Sequence, residues 1–70
     1  MNWFVSYSGN GVNHGVVMVK AENQNIAILQ ANKLVPKLEK VIDIQAFQCG
    51  EEELKFDTFY TRAQLKKLGY

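Results

Sequence analysis

His14 and Cys49 are the one histidine and the one cysteine of this 70-residue chain, and together they are its nearest approach to a catalytic pair. A cysteine nucleophile needs a base within hydrogen-bond reach, usually held in place by a third group. Both residues fall in segments that read as turns, at opposite or adjacent ends of a sheet, so an exposed turn histidine and a small half-buried thiol are expected. One histidine and one cysteine also fall short of the four ligands of a structural zinc site. The run Glu51, Glu52 and Glu53 with Asp57 gathers carboxylates, but without the alternating oxygen ligands and central glycine of a calcium loop. Consecutive carboxylates on an exposed turn also lack the fixed separation and unequal environments of general acid–base pairs. The glycine-rich segment from Gly9 to Gly15 has neither a GxGxxG nor a GxxxxGK order, and it leads into a strand where those motifs open a helix. No enzyme, metal or cofactor is expected.

What remains is binding. Eight Lys plus Arg against seven Asp plus Glu give a net charge of +1, too weak to attract nucleic acid or an anionic membrane at long range. The charge is unevenly placed: residues 1 to 19 carry no formally charged side chain, while Arg62, Lys66 and Lys67 make the end basic. Trp3, Phe4 and Tyr7 lie on a strand, where aromatic rings on an open sheet face can stack unpaired bases, and Lys20, Lys55, Arg62, Lys66 and Lys67 could contact phosphates. Against nucleic acid stand the near-zero charge, the acidic turn and the lack of an RNP-like aromatic run. Eight aromatics and many aliphatics on strands apolar on both faces leave more apolar surface than one layer of short helices can cover. Binding to another protein, with a second copy as the first candidate, is therefore expected through Trp3, Phe4, Tyr7, Val16 and Met18, with Glu51, Glu52 and Glu53 beside them.

The elements that position these residues follow from periodicity. Asn2 to Ser8 alternates Trp3, Val5 and Tyr7 against polar residues and Phe4, a strand pattern. Asn10-Gly11 supplies the positive φ angles of a hairpin tip. A second strand is predicted from about His14 to Ala21, with Val17, Val19 and Ala21 on one face and Val16, Met18 and Lys20 on the other. Asn23 is a good N-cap for a helix burying Ile26, Ala27, Gln30, Ala31 and Leu34, which Pro36 should stop near Leu34. Lys33 and Lys37 suit its negative end. Alternation predicts a third strand from Lys40 to Gln48, with Ile42, Ile44 and Ala46 against Val41, Asp43, Gln45 and Phe47. A fourth strand from Leu54 to Tyr60 is predicted to close a second hairpin over Cys49-Gly50-Glu51-Glu52. Thr61 and Gln64 form a capping-box pattern opening a short helix with Leu65 and Leu68 inward and Gly69 as its stop.

The economical fold is a single α+β domain: one antiparallel sheet of four strands, ordered β-hairpin, helix, β-hairpin, short helix, with both helices on one face. The alternative is a three-stranded ββαβ sheet with a less regular C-terminal arm. A chain this short buries only about 60% of the surface its unfolded form exposes, which makes self-association as a homodimer a serious option. No apolar run is longer than Val16 to Val19, far below the roughly 20 residues of a membrane-spanning helix. With no basic start and apolar body of a signal peptide, and a single cysteine, a cytoplasmic location is expected.

A compact hairpin-helix-strand protein with a junction reading VKAENQNIAILQA resembles many small accessory proteins of bacteriophages and mobile elements, some of which plug a host or defence protein. The resemblance covers roughly the first two-thirds of the chain and is one of pattern, implying a stoichiometric inhibitor or adaptor and transferring no functional residue.

Overall fold

The computed structural model describes residues 1–36, 41, 43–50 and 54–70. The elements are β1 (Asn2–Gly9), β2 (Val12–Lys20), α1 (Gln24–Asn32), β3 (Asp43–Cys49), β4 (Phe59–Thr61) and α2 (Arg62–Lys67). The four strands form one sheet in the order β3-β1-β2-β4, and every named pair is antiparallel. No helix among the described residues is long and apolar enough to cross a membrane.

The β1–β2 hairpin forms as its residues dictate. Asn10 and Gly11 take positive φ angles of 53° and 74°, the pair of left-handed residues that a two-residue hairpin turn needs. Burial alternates along β1, with Trp3, Val5 and Tyr7 inward, whereas β2 is buried without a break from Gly15 to Val19. A register shift after Tyr7 brings Ser8 opposite Asn13, which starts β2 at Val12, two residues earlier than the alternation indicates.

Helix α1 is capped as expected, the Asn23 side chain accepting the Ile26 amide at 3.0 Å. Ala27 and Ala31 are fully buried, and their small size lets the helix axis lie close to the sheet. Gln30 and Leu34, expected in the same stripe, face solvent instead, because contact this close uses only a narrow strip of so short a helix. Helix α2 carries the full capping box: Thr61 accepts the Gln64 amide at 3.3 Å and the Gln64 side chain accepts the Thr61 amide at 2.8 Å.

Two features of the expected topology are overturned. There is no second hairpin, because β3 pairs with β1 on one edge of the sheet and β4 with β2 on the other. Between them, Cys49, Leu54 and Phe56 pack on the face that holds Val16 and Met18. Phe56 makes a parallel bridge to Met18, and the Asp57 amide donates to the Met18 carbonyl at 2.8 Å. Asp57 then takes a positive φ of 59°, and the chain continues into only three residues of strand, not the seven expected. Alternation in Leu54 to Tyr60 identifies which residues share a side but says nothing about the pairing partner.

The helices also lie on opposite faces rather than on one. Helix α1 packs over Trp3, Val5, Tyr7, Val17 and Val19, while α2 and Leu54 pack over Val16 and Met18. The sheet is thus the middle of three layers, and both apolar faces of β2 are covered by the chain's own residues. Lys37, Ile42, Glu51, Glu52 and Glu53 lie outside the described residues.

Candidate functional site

The β1–β2 and β1–β3 registers sort the proposed binding residues onto two faces. Trp3 stands opposite Val19 and Tyr7 opposite Gly15 on the α1 face, whereas Phe4, opposite Met18 and Phe47, belongs to the α2 face. Trp3 and Tyr7 are core residues and do not form an open aromatic surface. The Trp3 indole N–H donates to the Ala21 carbonyl at 3.1 Å, and the Tyr7 hydroxyl donates to Asn32 Oδ1 at 2.7 Å. Burial pushes the Tyr7 phenol up to about 12 by disfavouring its charged form. Val16 and Met18 are buried as well, so the expected second-face binding surface is corrected: its apolarity is satisfied internally by Leu54 and Leu65.

Phe4 is the one expected binding residue of the strands that stays half-buried, because among the described residues α2 covers the β2 side of this face and not the β1–β3 side. Its cross-strand partner Phe47 is 53% exposed on β3. Among the described elements β3 pairs with β1 alone, and Ala46 is its one buried residue. Ile44 adds a second exposed apolar side chain to the same strand, on the opposite face. The sequence signal for this edge is Phe47 itself, an aromatic residue on the side of the alternation that also carries Asp43 and Gln45.

Beside Phe4, a groove of about 380 Å³ runs between β1 and α2. Phe4, Val16 and Leu65 line it with apolar surface, and Arg62, Lys66 and Tyr70 bound it from the helix side. Only two of the five candidate phosphate-binding cations meet here. Lys20 instead lies 4.9 Å over the Phe56 ring, and Lys67 and Lys55 do not line the groove. The Lys55 amide donates to the Tyr60 hydroxyl at 3.0 Å.

His14 lies in β2 and Cys49 at the end of β3, so neither occupies the turn expected for it. The register puts Cys49 opposite Asn2 and hence level with Lys20, six positions along β2 from His14, a separation of about 20 Å at strand rise. They are therefore at opposite ends of the sheet. His14 Nε2 is buried and makes no hydrogen bond.

Among the described residues, fold and surface together define a small three-layer α+β domain in which β3 is an edge strand and a basic-rimmed groove adjoins β1. No family model matches the chain, and comparison with curated proteins and with solved structures finds no match for it.

Proposed function

We propose that this chain is a non-enzymatic protein-binding module that engages its partner along edge strand β3, a second copy of the chain being the first partner it meets. The observation that carries this is Phe47, 53% exposed next to the central residue of a seven-residue edge strand. An unpaired strand edge offers a row of main-chain donors and acceptors to another strand, and an exposed aromatic on it adds apolar contact. Most natural edges are blunted by charge, proline or a bulge. The described part of β3 has only Asp43, at its first position. Action by occupancy suits a stoichiometric inhibitor or adaptor, and the single cysteine suits the cytoplasm.

Sedimentation of the purified chain at high micromolar concentration tests self-pairing, the expected species having twice the 8.0 kDa chain mass. Phe47→Lys should return it to the monomer while leaving the fold intact. A photoreactive phenylalanine analogue at position 47 should give protein adducts in the host cell. A wild-type chain that is only monomeric and gives no adduct from position 47 would overturn the proposal.

A further inference from the structure

We propose that the groove between β1 and α2 binds an acidic peptide segment of a partner protein, with one apolar side chain seated against Phe4, Val16 and Leu65. This rests on the protein-binding function proposed above but not on pairing through β3. Charge complementarity selects the occupant. Arg62 and Lys66 are both exposed, stand four residues apart on α2 and so share one side of the helix at the groove. No Asp or Glu side chain lines the groove among the described residues. Of the described Asp and Glu side chains, Asp43 accepts a hydrogen bond from Gln45 at 2.9 Å, Glu22 adjoins the cap of α1, and Asp57 follows the bridge between Phe56 and Met18.

Lys66 alone has an ordinary explanation, since a cation in the last turn complements the negative end of a helix. Arg62 has none of that kind. It is the first residue of α2, where the helix dipole disfavours positive charge, and the first turn contains no acidic residue. A cation held against the local field, beside a second cation and above an apolar floor, is the arrangement that an acidic segment with an apolar anchor would complement.

A nucleic-acid strand fits less well. It requires successive stacking surfaces and a continuous cationic track along the backbone, whereas the groove offers one phenylalanine on its floor, one tyrosine at its rim and two cations from a single helix. Lys20 is engaged with Phe56 away from the groove.

The test is fluorescence anisotropy on the full chain with a labelled ten-residue peptide of Glu and Asp flanking a single Leu. Two further probes are the same peptide with Gln and Asn replacing the acids, and a ten-nucleotide oligothymidylate. Saturable binding of the acidic peptide is expected, weakened at least tenfold by amide replacement and at least tenfold by Arg62→Glu with Lys66→Glu. Both side chains are exposed, so circular dichroism should show the doubly substituted chain folded. Equal binding of the amide peptide, binding unchanged by the double substitution, no binding of the acidic peptide, or preference for the oligothymidylate would each overturn the proposal. Adducts or dimers through position 47 that persist without peptide binding would sink the groove and leave the edge-strand function standing. Peptide binding without either would do the reverse.

Discussion

The ring of Phe59 on β4 closes over Gly15 of β2, across the short ladder that joins these strands. A Cβ on residue 15 would overlap that ring and come within 2.5 Å of the Tyr60 carbonyl oxygen. The ring could turn aside, but the carbonyl belongs to the backbone. Gly15→Ala should therefore destabilise the fold by about 2 kcal/mol or more, within the range for overpacked cores. At Gly11 a Cβ meets nothing within 4 Å, so Gly11→Ala should cost only the roughly 1 kcal/mol of a left-handed residue. Urea denaturation measures both, and the opposite ranking would count against the placement of β4 on β2.

Met18 distinguishes a covered second face from an open one. It is fully buried under Leu54 and Leu65, so Met18→Ala should lose about 2–5 kcal/mol, whereas Met18→Leu should lose less than about 1.5. On an open face the alanine substitution would stay within about 0.5 kcal/mol. Such a small loss in urea denaturation would refute the three-layer arrangement.

Thr61 links a local motif to that layer. Its side chain caps α2, and α2 places Leu65 over Val16 and Met18. Thr61→Ala should cost about 1 kcal/mol, and Thr61→Ser should recover most of it because the accepting oxygen is retained. If α2 holds the layer in place, the alanine variant should also speed amide exchange at Met18 more than at Val5 on the adjacent strand.

Tyr7 predicts an alkaline transition. Its phenol is raised from 10.0 to about 12 in the folded chain because burial penalises the phenolate. The neutral form is favoured by folding, so the stabilisation it contributes is complete below about pH 10 and is lost as pH rises toward 12. Absorbance at phenolate wavelengths should show one tyrosine ionising near 12, and Tyr7→Phe should remove that component. A component that persists in the variant would assign the shift to another residue.

The local elements were legible because their causes are local. Asn10-Gly11 carries its own turn geometry, Asn23 and Thr61 carry their own caps, and the alternation of Trp3, Val5 and Tyr7 correctly marks one buried face. The candidate site was only partly legible. Phe4, Arg62 and Lys66 stand out in the sequence for different reasons, and Phe47 does not, since exposure of an aromatic depends on what lies above it. Trp3, Tyr7, Val16 and Met18 look alike as surplus apolar residues until the partners that bury them are known.

What the sequence by itself determined was the strand–strand–helix–strand–strand–helix order and the four-stranded α+β class, because periodicity, caps and turn residues act within a few positions of one another. Only the tertiary structure decided that β3 and β4 take opposite edges and that α1 and α2 take opposite faces. The physical reason is that Leu54 and Phe56 pack against Val16 and Met18, residues far away in sequence, and at about 1.5–3 kcal/mol for a large apolar side chain fully buried, such long-range packing carries weight that local periodicity does not register. Among the described residues, that arrangement leaves Phe4 half-buried and its cross-strand neighbour Phe47 exposed.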